Sequence, residues 1–367
     1  MVKPPFCIPW TRPSLGQLEY DAVAATMQSG WLSMGPRVAE LEQRLAARVG
    51  RRFAIAVASG TAALEVCLRS LGLGPGDEVI VPALAYIAAP NAVSYQGARI
   101  MLADVHPATW SLDPLAVARQ ITPATRAILT LDYGGAPSNT PALAALARCH
   151  NLALIVDGAE SLGARLGSAW SMQAGLVAIT SFHMVKILST IEGGMIFTDD
   201  PTLAEQARLL RSQGEHPTQK YVHLAVGHNY RMSDLHAAIG LAQLVGLEQR
   251  LAERTNLALR YYQRLAHLPL QLPILLPGAT SSWFLFSVLT PYRDAIHAAL
   301  AADGIETRLS WPLAVQHQPC YQHLAAQHPC PVAEQIAAQV LSLPLYPGMS
   351  LVEHEAVCVA LERAIKA

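Results

Sequence analysis

The sequence predicts an α/β protein with a mostly parallel central sheet and a smaller α+β domain after it. Short apolar runs typical of buried strands alternate with helical periodicity across residues 53–200. Beyond about Leu268 the pattern changes to Pro-rich connections around one strand and several helices. Because 367 residues are enough for two domains, we expect a large domain at 1–266 and a small one at 267–367.

Apolar periodicity, capping residues and Gly or Pro breaks predict the elements in order. No G-x-G-x-x-G follows the first strand, which argues against a dinucleotide site. The polar segment 213–231 is expected to be a loop. The predicted helices are 18–29, 36–49, 62–73, one beginning at Tyr86, 114–120, 140–150, 201–212, 233–266, 293–302, 333–340 and 351–365. The predicted strands are 53–57, one that follows a turn within 74–81, 99–102, 126–131, 152–156, 175–182, 194–197, 283–290 and one near Ile305.

One lysine, Lys186, stands between two apolar runs within T-S-F-H-M-V-K-I-L-S-T-I-E-G-G-M-I-F-T, residues 180–198. Loss of hydration in such a setting favours the neutral amine. A neutral lysine amine can form a Schiff base with a carbonyl. The alternatives for Lys186 are a side chain that reaches the surface and an ion pair with Glu192.

A carboxylate, Asp157, ends the apolar run 152–156 and lies 29 residues before Lys186. The C-terminal end of a parallel strand is a usual place for chemistry in an open α/β sheet. Pyridoxal phosphate needs a lysine for its aldehyde and a carboxylate that keeps its ring nitrogen protonated. A cap or turn role is the alternative for Asp157 alone, but the spaced pair predicts a pyridoxal phosphate site.

The turn Ser59-Gly60-Thr61 joins the first strand to a helix. Free backbone N–H groups and the helix dipole at such a start attract a phosphate, and hydroxyl groups add hydrogen bonds. The alternative is an ordinary N-cap by Ser59 or Thr61.

Composition limits the class of protein. Hydrophobic residues make up 52% of the chain and charged residues 14%, which fits a compact enzyme with large buried surfaces, including an oligomer interface. A formal net charge of −1 predicts no binding to nucleic acid or to an anionic membrane. No apolar run reaches membrane-spanning length, and the Pro-rich start is unlike a signal peptide. The six scattered cysteines are typical of reduced thiols in the cytoplasm.

Several potential metal ligands crowd residues 317–330, namely His317, Cys320, His323, His328 and Cys330. Their spacing matches no common zinc pattern, and prolines interrupt it. We therefore predict no metal site there.

Motifs in one order extend over almost the whole chain. They are R-P-S-L-G from Arg12, S-G-W-L-S-M-G-P from Ser29, S-G-T-A-A-L from Ser59, G-P-G-D-E-V-I-V-P from Gly74, V-D-G-A-E-S-L-G-A from Val156, S-F-H-M-V-K from Ser181, E-G-G-M from Glu192, G-H-N-Y-R-M-S-D from Gly227 and L-S-L-P-L-Y-P-G from Leu341. Together they resemble the DegT-type (DegT/DnrJ/StrS) sugar aminotransferases, a branch of the fold type I pyridoxal phosphate enzymes.

The resemblance implies a role for each matching residue of the cofactor site. Lys186 would hold the cofactor as a Schiff base and then act as proton shuttle, and Asp157 would hold the pyridinium nitrogen. Gly60 and Thr61 would bind the phosphate at the helix start, and Ser181 would bind it through its hydroxyl.

Three more residues follow from the same resemblance. Tyr86 lies where the family places an aromatic that stacks on the cofactor ring, although an aromatic at a helix start can also serve packing alone. Asn229 matches a residue that reaches the phosphate of the neighbouring subunit, which implies a homodimer with shared active sites. Arg231, in the same loop, is a candidate for contacting a substrate carboxylate.

The sequence also departs from the family pattern. Glu160 stands where Gln or His is usual, near the phenolic oxygen of the cofactor, and a carboxylate there repels a phenolate unless it is protonated or turned away. Asp132 replaces a common His, and S-T-I-E-G-G at 189–194 replaces T-T-G-E-G-G. The segment 311–321 differs as well. These changes preserve the cofactor site and leave the substrate open.

The resemblance implies a cytoplasmic, homodimeric aminotransferase that moves an amino group from glutamate to a keto-sugar. The E-G-G after the lysine resembles the branch that acts at sugar C4, so a nucleotide-linked 4-keto-6-deoxy sugar is the expected acceptor. A cyclitol or aminoshikimate-type aminotransferase is one alternative, and a non-catalytic regulatory protein of the same fold is another. Sugar deoxygenases of this scaffold carry His where Lys186 stands, so the lysine argues against them.

Overall fold

The computed structural model describes residues 7–366. Its α-helices are α1 (Gln17–Ser29), α2 (Pro36–Val49), α3 (Gly60–Ser70), α4 (Ala88–Tyr95), α5 (Pro114–Gln120), α6 (Thr140–Cys149), α7 (Pro201–Arg211), α8 (Asp234–Val245), α9 (Leu247–Leu265), α10 (Arg293–Ala302), α11 (Pro331–Gln339) and α12 (Leu351–Lys366). Its strands are β1 (Phe53–Val57), β2 (Glu78–Pro82), β3 (Arg99–Ala103), β4 (Thr125–Leu131), β5 (Ala153–Asp157), β6 (Arg165–Leu166), β7 (Ala169–Trp170), β8 (Val177–Ser181), β9 (Gly194–Thr198), β10 (Ala279–Thr280), β11 (Phe286–Leu289) and β12 (Val340–Leu343).

A seven-stranded sheet in the order β1-β9-β8-β5-β4-β2-β3 lies at the centre. The neighbours from β8 to β3 pair in parallel, and β9 runs antiparallel to both β8 and β1. Because β9 runs antiparallel to both of its neighbours, β1 and β8 run in the same direction, and β1, β5 and β8 all end at the same edge. Asp157 closes β5 there, paired with Leu131 of β4 and Ile179 of β8. The predicted α/β class with a mostly parallel sheet is confirmed.

Short polar residues begin five of the helices. Ser59, Asp113, Asn139, Asp200 and Ser233 each accept a hydrogen bond from a backbone N–H of the helix that follows. These side chains satisfy N–H groups that no helical carbonyl can reach. A proline in the first turn follows three of these caps, at α5, α6 and α7, and there the predicted helix starts are confirmed.

The predicted single helix 233–266 was wrong, because the chain breaks at Gly246 into α8 and α9. Glycine costs a helix interior about 1 kcal/mol relative to alanine. The two halves also pack differently, since α8 lies against α1 and α2 whereas α9 contacts α12. The apolar periodicity of the sequence indicates neither the break nor the change in the helices that each half packs against.

Two predictions in the C-terminal region were also wrong. The strand predicted for 283–290 is confined to β11, because Trp283 adopts a φ of 51°, which a strand does not accommodate. Its partner β12 begins at Val340, the last residue of the predicted helix 333–340, and continues through 341–343. Near Ile305 the structure has a single bridge to Ile8 in place of a strand.

Two large groups of buried apolar side chains lie on different parts of the chain. One surrounds the central sheet. The other joins the C-terminal elements to Ile8 and to Tyr261 of α9. A boundary between residues 266 and 267 stays a prediction, and both Ile8 and Tyr261 precede it. Within residues 7–366, no helix is both long and apolar enough to span a membrane.

Candidate active site

A cleft of about 470 Å³ opens at the edge where β1, β5 and β8 end. Seven of the eight residues predicted for the site line it, and Asn229 does not. Those seven, together with Ser59, are called the inner wall here: Ser59, Gly60, Thr61, Tyr86, Asp157, Glu160, Ser181 and Lys186. The opposite side, called the outer wall, comes from both ends of the chain: Trp10, Phe284, Arg308 and Trp311.

Lys186 follows β8 in a turn that its own N–H closes on the carbonyl of His183 at 2.8 Å. Its Nζ lies 3.4 Å from Oε1 of Glu160 and 4.2 Å from the ring centroid of Phe284. The side chain is only 16% exposed, so it does not extend to the surface. Glu192, the ion-pair partner considered from the sequence, lies instead 3.7 Å from His183. The amine is thus held inside the cleft.

Asp157 is buried, and its Oδ1 accepts a hydrogen bond from the N–H of Ala159 at 3.0 Å. Burial raises the pKa of this carboxyl to about 7, while the Ala159 N–H and the charge of Lys186 act in the opposite direction. A positive charge placed against such a carboxyl lowers its pKa again and favours the carboxylate. The position of Asp157 at the end of β5, in the lining of the cleft, suits its predicted role.

The start of α3 forms a tight cradle. Ser59 Oγ accepts from the N–H of Ala62 at 3.1 Å and so caps the helix. A Cβ on Gly60 would lie 2.9 Å from the Cβ of Ser181, and one on Gly194 would lie 2.4 Å from the Ser59 carbonyl oxygen. Only glycine fits at both positions, so backbone N–H groups of a helix start face the cleft without an intervening side chain.

These residues fit pyridoxal phosphate. An amine that can bond an aldehyde, a carboxyl group with a pKa near 7 and a glycine-lined helix start lie around one cleft. Each answers one chemical requirement of that cofactor: its aldehyde, its ring nitrogen and its phosphate.

Glu160 is buried in the inner wall beside Lys186. Its Oε2 accepts from the N–H of Gly134 at 2.9 Å, and its Oε1 faces the lysine amine. Burial raises the pKa of Glu160, and the Lys186 charge and the Gly134 N–H partly offset that rise. The side chain thus has a local partner in Gly134, one of the two situations expected from the sequence.

Asp132, the other acidic departure, does not line the cleft and is fully buried beneath it. It accepts from the N–H and Oγ of Ser138 at 2.8 and 2.6 Å, from Oγ of Ser161 at 2.7 Å and from Oγ of Ser171. Burial raises its pKa, and these hydrogen bonds oppose the rise. A carboxylate is accommodated because four donors surround it. It ties the segments after β4 and β5 together.

Tyr86 and Asn229 have different surroundings. Tyr86 lines the cleft with its side chain largely exposed, and it stands two residues before α4 and not within that helix as predicted. Asn229 is exposed on the loop between α7 and α8, where it forms a bridge with Ser212. Arg231, on the same loop, does not line this cleft either. A role for either residue in a neighbouring subunit stays a prediction.

The outer wall escaped the sequence analysis almost entirely. Trp10, Phe284 and Arg308 carry no motif that marks them, and they meet only through folding. Trp311 gave the one signal, since it opens the segment 311–321 that departs from the family pattern. It adopts a φ of 60° and packs edge-on against Tyr133, with centroids 5.0 Å apart.

The His- and Cys-rich segment 317–330 forms no cluster of ligands. His317 instead lies 3.2 Å from Glu334. Over residues 7–366, no group of three or more His, Cys, Asp or Glu side chains is arranged to hold a metal ion.

Comparisons with known proteins agree with this geometry. The model of the DegT/DnrJ/EryC1/StrS aminotransferase family matches residues 13–362. GDP-perosamine synthase of Caulobacter vibrioides is 38% identical over 362 residues, covering 96% of this chain and 97% of the relative. DesV of S. venezuelae, solved in complex with a ketimine intermediate, matches at TM-score 0.91 and 37% identity, over 97% of this chain and 98% of its own. NtdA of Bacillus subtilis, solved with bound cofactor PMP, matches at TM-score 0.89 and 30% identity, over 96% and 83%.

Proposed function

The chain belongs to the DegT/DnrJ/EryC1/StrS aminotransferase family, and from that premise we propose that it moves an amino group from glutamate to a nucleotide-linked keto-sugar. The predicted family, enzyme class and pyridoxal phosphate cofactor are confirmed by the family match and by relatives with the same chemistry. The observation that carries the proposal is the shared cleft of Lys186, Asp157 and the start of α3.

When bound, pyridoxal phosphate supplies the aldehyde that takes up the amino group and the ring that withdraws electrons from the reacting carbon. Lys186 Nζ, held between Glu160 and Phe284, would take the proton from the α-carbon of glutamate and return it on the cofactor side. The same atom would reverse these transfers when the acceptor sugar is aminated. Glutamate would leave as 2-oxoglutarate, and the sugar ketone would become an amine.

The other inner-wall residues hold the cofactor in place. Asp157 would keep a proton at the ring nitrogen. The N–H groups of Gly60 and Thr61 and the hydroxyl of Ser181 would bind the phosphate. Tyr86 would stack on the ring. Glu160, anchored by the N–H of Gly134, would donate to the phenolic oxygen as a neutral acid.

The acceptor is proposed to be a 4-keto-6-deoxy sugar joined to a nucleoside diphosphate. One support is the relative named GDP-perosamine synthase, which is 38% identical over nearly the whole chain. The other is the size of the cleft, about 470 Å³, because it leaves room for a substrate beyond the cofactor.

Substrate screening tests this proposal. Purified enzyme is incubated with glutamate and GDP-, UDP- or dTDP-linked 4-keto-6-deoxy sugars, and the amino sugar and 2-oxoglutarate are measured by mass spectrometry. We expect equal amounts of both products with at least one acceptor, and none with Lys186→Ala. The panel also includes a keto-cyclitol. If the enzyme turns over only that compound, the acceptor is a cyclitol and not a sugar.

We also propose a cytoplasmic homodimer whose two sites are shared through Asn229. Its support is the exposed position of Asn229 away from its own cleft, beside the exposed apolar side chains of Tyr221 and Val226. Mixing Lys186→Ala protein with Asn229→Ala protein should restore activity, since a mixed dimer contains one intact site. No recovery after verified subunit exchange would contradict a shared site.

A further inference from the structure

The outer wall places an arginine at the mouth of the cleft. Arg308 Nη2 lies 2.9 Å from Oε1 of Glu306, and its guanidinium lies 5.5 Å from the ring centroid of Trp10. The side chain is 58% exposed. Its backbone is fixed, because Arg308 N donates to the Ser342 carbonyl at 3.0 Å and Ser342 N donates back at 2.8 Å. A cation is therefore held at a defined place on the rim.

The reactive amine and this cation lie at different depths of the cleft. The side chain of Lys186 is 16% exposed, and its Nζ lies 4.2 Å from the ring centroid of Phe284. Phe284 packs edge-on against Trp10 with centroids 6.1 Å apart, and Trp10 lies under the guanidinium of Arg308, whose side chain is 58% exposed. An anion that Arg308 binds therefore lies at the mouth, whereas the carbon that reacts at Lys186 lies inside the cleft.

The two substrates of the proposed reaction differ in this separation. In glutamate the α-carboxylate is attached to the carbon that carries the amino group. In a nucleotide-linked 4-keto sugar, the diphosphate is attached to C1, across the sugar ring from the reacting carbonyl. Since the cation lies at the exposed mouth and the amine inside the cleft, the geometry favours the diphosphate over the α-carboxylate.

On this basis, and resting on the proposed function, we propose that Arg308 binds the phosphate oxygens of the acceptor and so selects nucleotide-linked sugars. A guanidinium presents five N–H donors in a plane that matches phosphate oxygens in pairs. Glu306 occupies one terminal nitrogen of Arg308, and its Oε2 accepts from the N–H of Trp10 at 3.0 Å. The carboxylate thus positions the guanidinium and leaves other donors for a ligand.

The other side chains of the described cleft that can carry a positive charge have a different role or a different partner. Among the lining residues in 7–366, the remaining groups that can be positive are Lys186, which reacts, and His183, which lies 3.7 Å from Glu192. Arg231 does not line this cleft. Arg308 is the arginine that the fold of this subunit brings to its own site.

The test separates the two halves of the reaction. Arg308→Gln, Arg308→Lys and unmodified enzyme are compared, with Arg12→Gln as matched control. Arg12 is also an exposed arginine with one carboxylate partner, Glu353 at 3.1 Å, and one ring beneath it, but it does not line the cleft. Spectral conversion of the holoenzyme by glutamate alone reports the first half. KM and kcat for the acceptor, and calorimetric binding of GDP, UDP and dTDP, report the second.

Arg308→Gln should raise KM for the nucleotide-linked acceptor and weaken nucleoside diphosphate binding by about tenfold to a hundredfold, as expected for lost hydrogen bonds to a charged group. The glutamate half-reaction should stay within about twofold. Arg308→Lys should recover part of the affinity, because it keeps the charge without the planar fork. Arg12→Gln should match the unmodified enzyme in every measurement.

Contrary outcomes are distinct. An Arg308→Gln enzyme that loses the glutamate half-reaction would assign the residue to the carboxylate of the amino donor and overturn the proposal. Unchanged acceptor KM and diphosphate affinity would also overturn it while leaving the proposed function intact. If the unmodified enzyme turns over no nucleotide-linked keto-sugar, the proposed function fails and this assignment fails with it.

Discussion

The inner and outer walls of the cleft are built in different ways. The inner wall consists of strand ends and the turns that follow them, so each residue is placed by the element next to it in the chain. The outer wall joins Trp10, Phe284 and Arg308, which lie in distant parts of the sequence. Phe284 belongs to the core around the central sheet and Trp10 packs against that core, whereas Arg308 forms a bridge with Ser342 of β12. The residues predicted to bind the cofactor thus lie on local structure, whereas the residues proposed to select the substrate depend on long-range packing.

The largest effect should come from Lys186 in the inner wall. Lys186→Ala removes both the covalent anchor and the proton carrier, so we expect transamination to fall by about 10³-fold or more. Borohydride treatment of unmodified enzyme followed by peptide mass spectrometry should place the cofactor on Lys186. Lys366→Ala, which removes an exposed lysine, is the control and should leave activity unchanged. Cofactor recovered on another lysine would contradict the assignment.

Asp157→Asn should lower kcat by about a hundredfold while cofactor binding persists, because an amide cannot hold the ring-nitrogen proton. Single-turnover kinetics with glutamate and spectrophotometric cofactor titration measure the two properties separately. Turnover close to that of the unmodified enzyme would remove Asp157 from this role.

The pKa of Asp157 also predicts how stability depends on pH in cofactor-free protein. The folded state holds the proton up to about pH 7, whereas the unfolded carboxyl releases it near pH 4. Between these values the native state binds more protons, so this group lowers the free energy of unfolding as pH rises, by up to about 1.4 kcal/mol per unit. Denaturant unfolding at several pH values should show a shallower decline for Asp157→Asn. Parallel curves for the two proteins would exclude the shift.

Ile191 lies in the loop between β8 and β9, at a position where the family usually has glycine. It adopts a φ of 72° with its side chain exposed, a conformation that costs a non-glycine residue about 1–2 kcal/mol. Ile191→Gly should therefore raise the free energy of unfolding by about 1 kcal/mol despite the greater freedom of unfolded glycine. Ile274→Gly, at an exposed site without positive φ, should lower it. Destabilisation by both changes would argue against strain at Ile191.

Glu160→Gln should have the smallest effect. A neutral Glu160 and a glutamine both donate a hydrogen bond, so activity at neutral pH should change by less than about threefold. Because burial raises the pKa of Glu160, its ionisation lies at a higher pH than that of an ordinary carboxyl, and the variant should lack it. Spectral pH titration of both holoenzymes checks this. Superimposable curves would leave Glu160 without a role at the cofactor.

Local sequence signals predicted the inner wall well for a physical reason. A cap such as Ser59 and a strand-end carboxylate such as Asp157 act on backbone within a few residues, so their partners are visible in the sequence beside them. The break at Gly246 and the short strand β11 were missed because apolar periodicity continues through both the glycine and the positive φ of Trp283. Asp132 is similar: its serine partners lie 6 to 39 residues away, and no periodicity shows that they converge.

The sequence by itself determined the α/β class and the family, and it predicted Lys186 and Asp157 as the residues of the chemistry, because buried strands, helix caps and this pair are encoded in local patterns. Only the tertiary structure decided that Trp10, Phe284 and Arg308 form the outer wall. Contacts between residues nearly 300 positions apart depend on how whole elements pack. No local propensity indicates that packing, so the outer wall of the cleft appears only when the chain is folded.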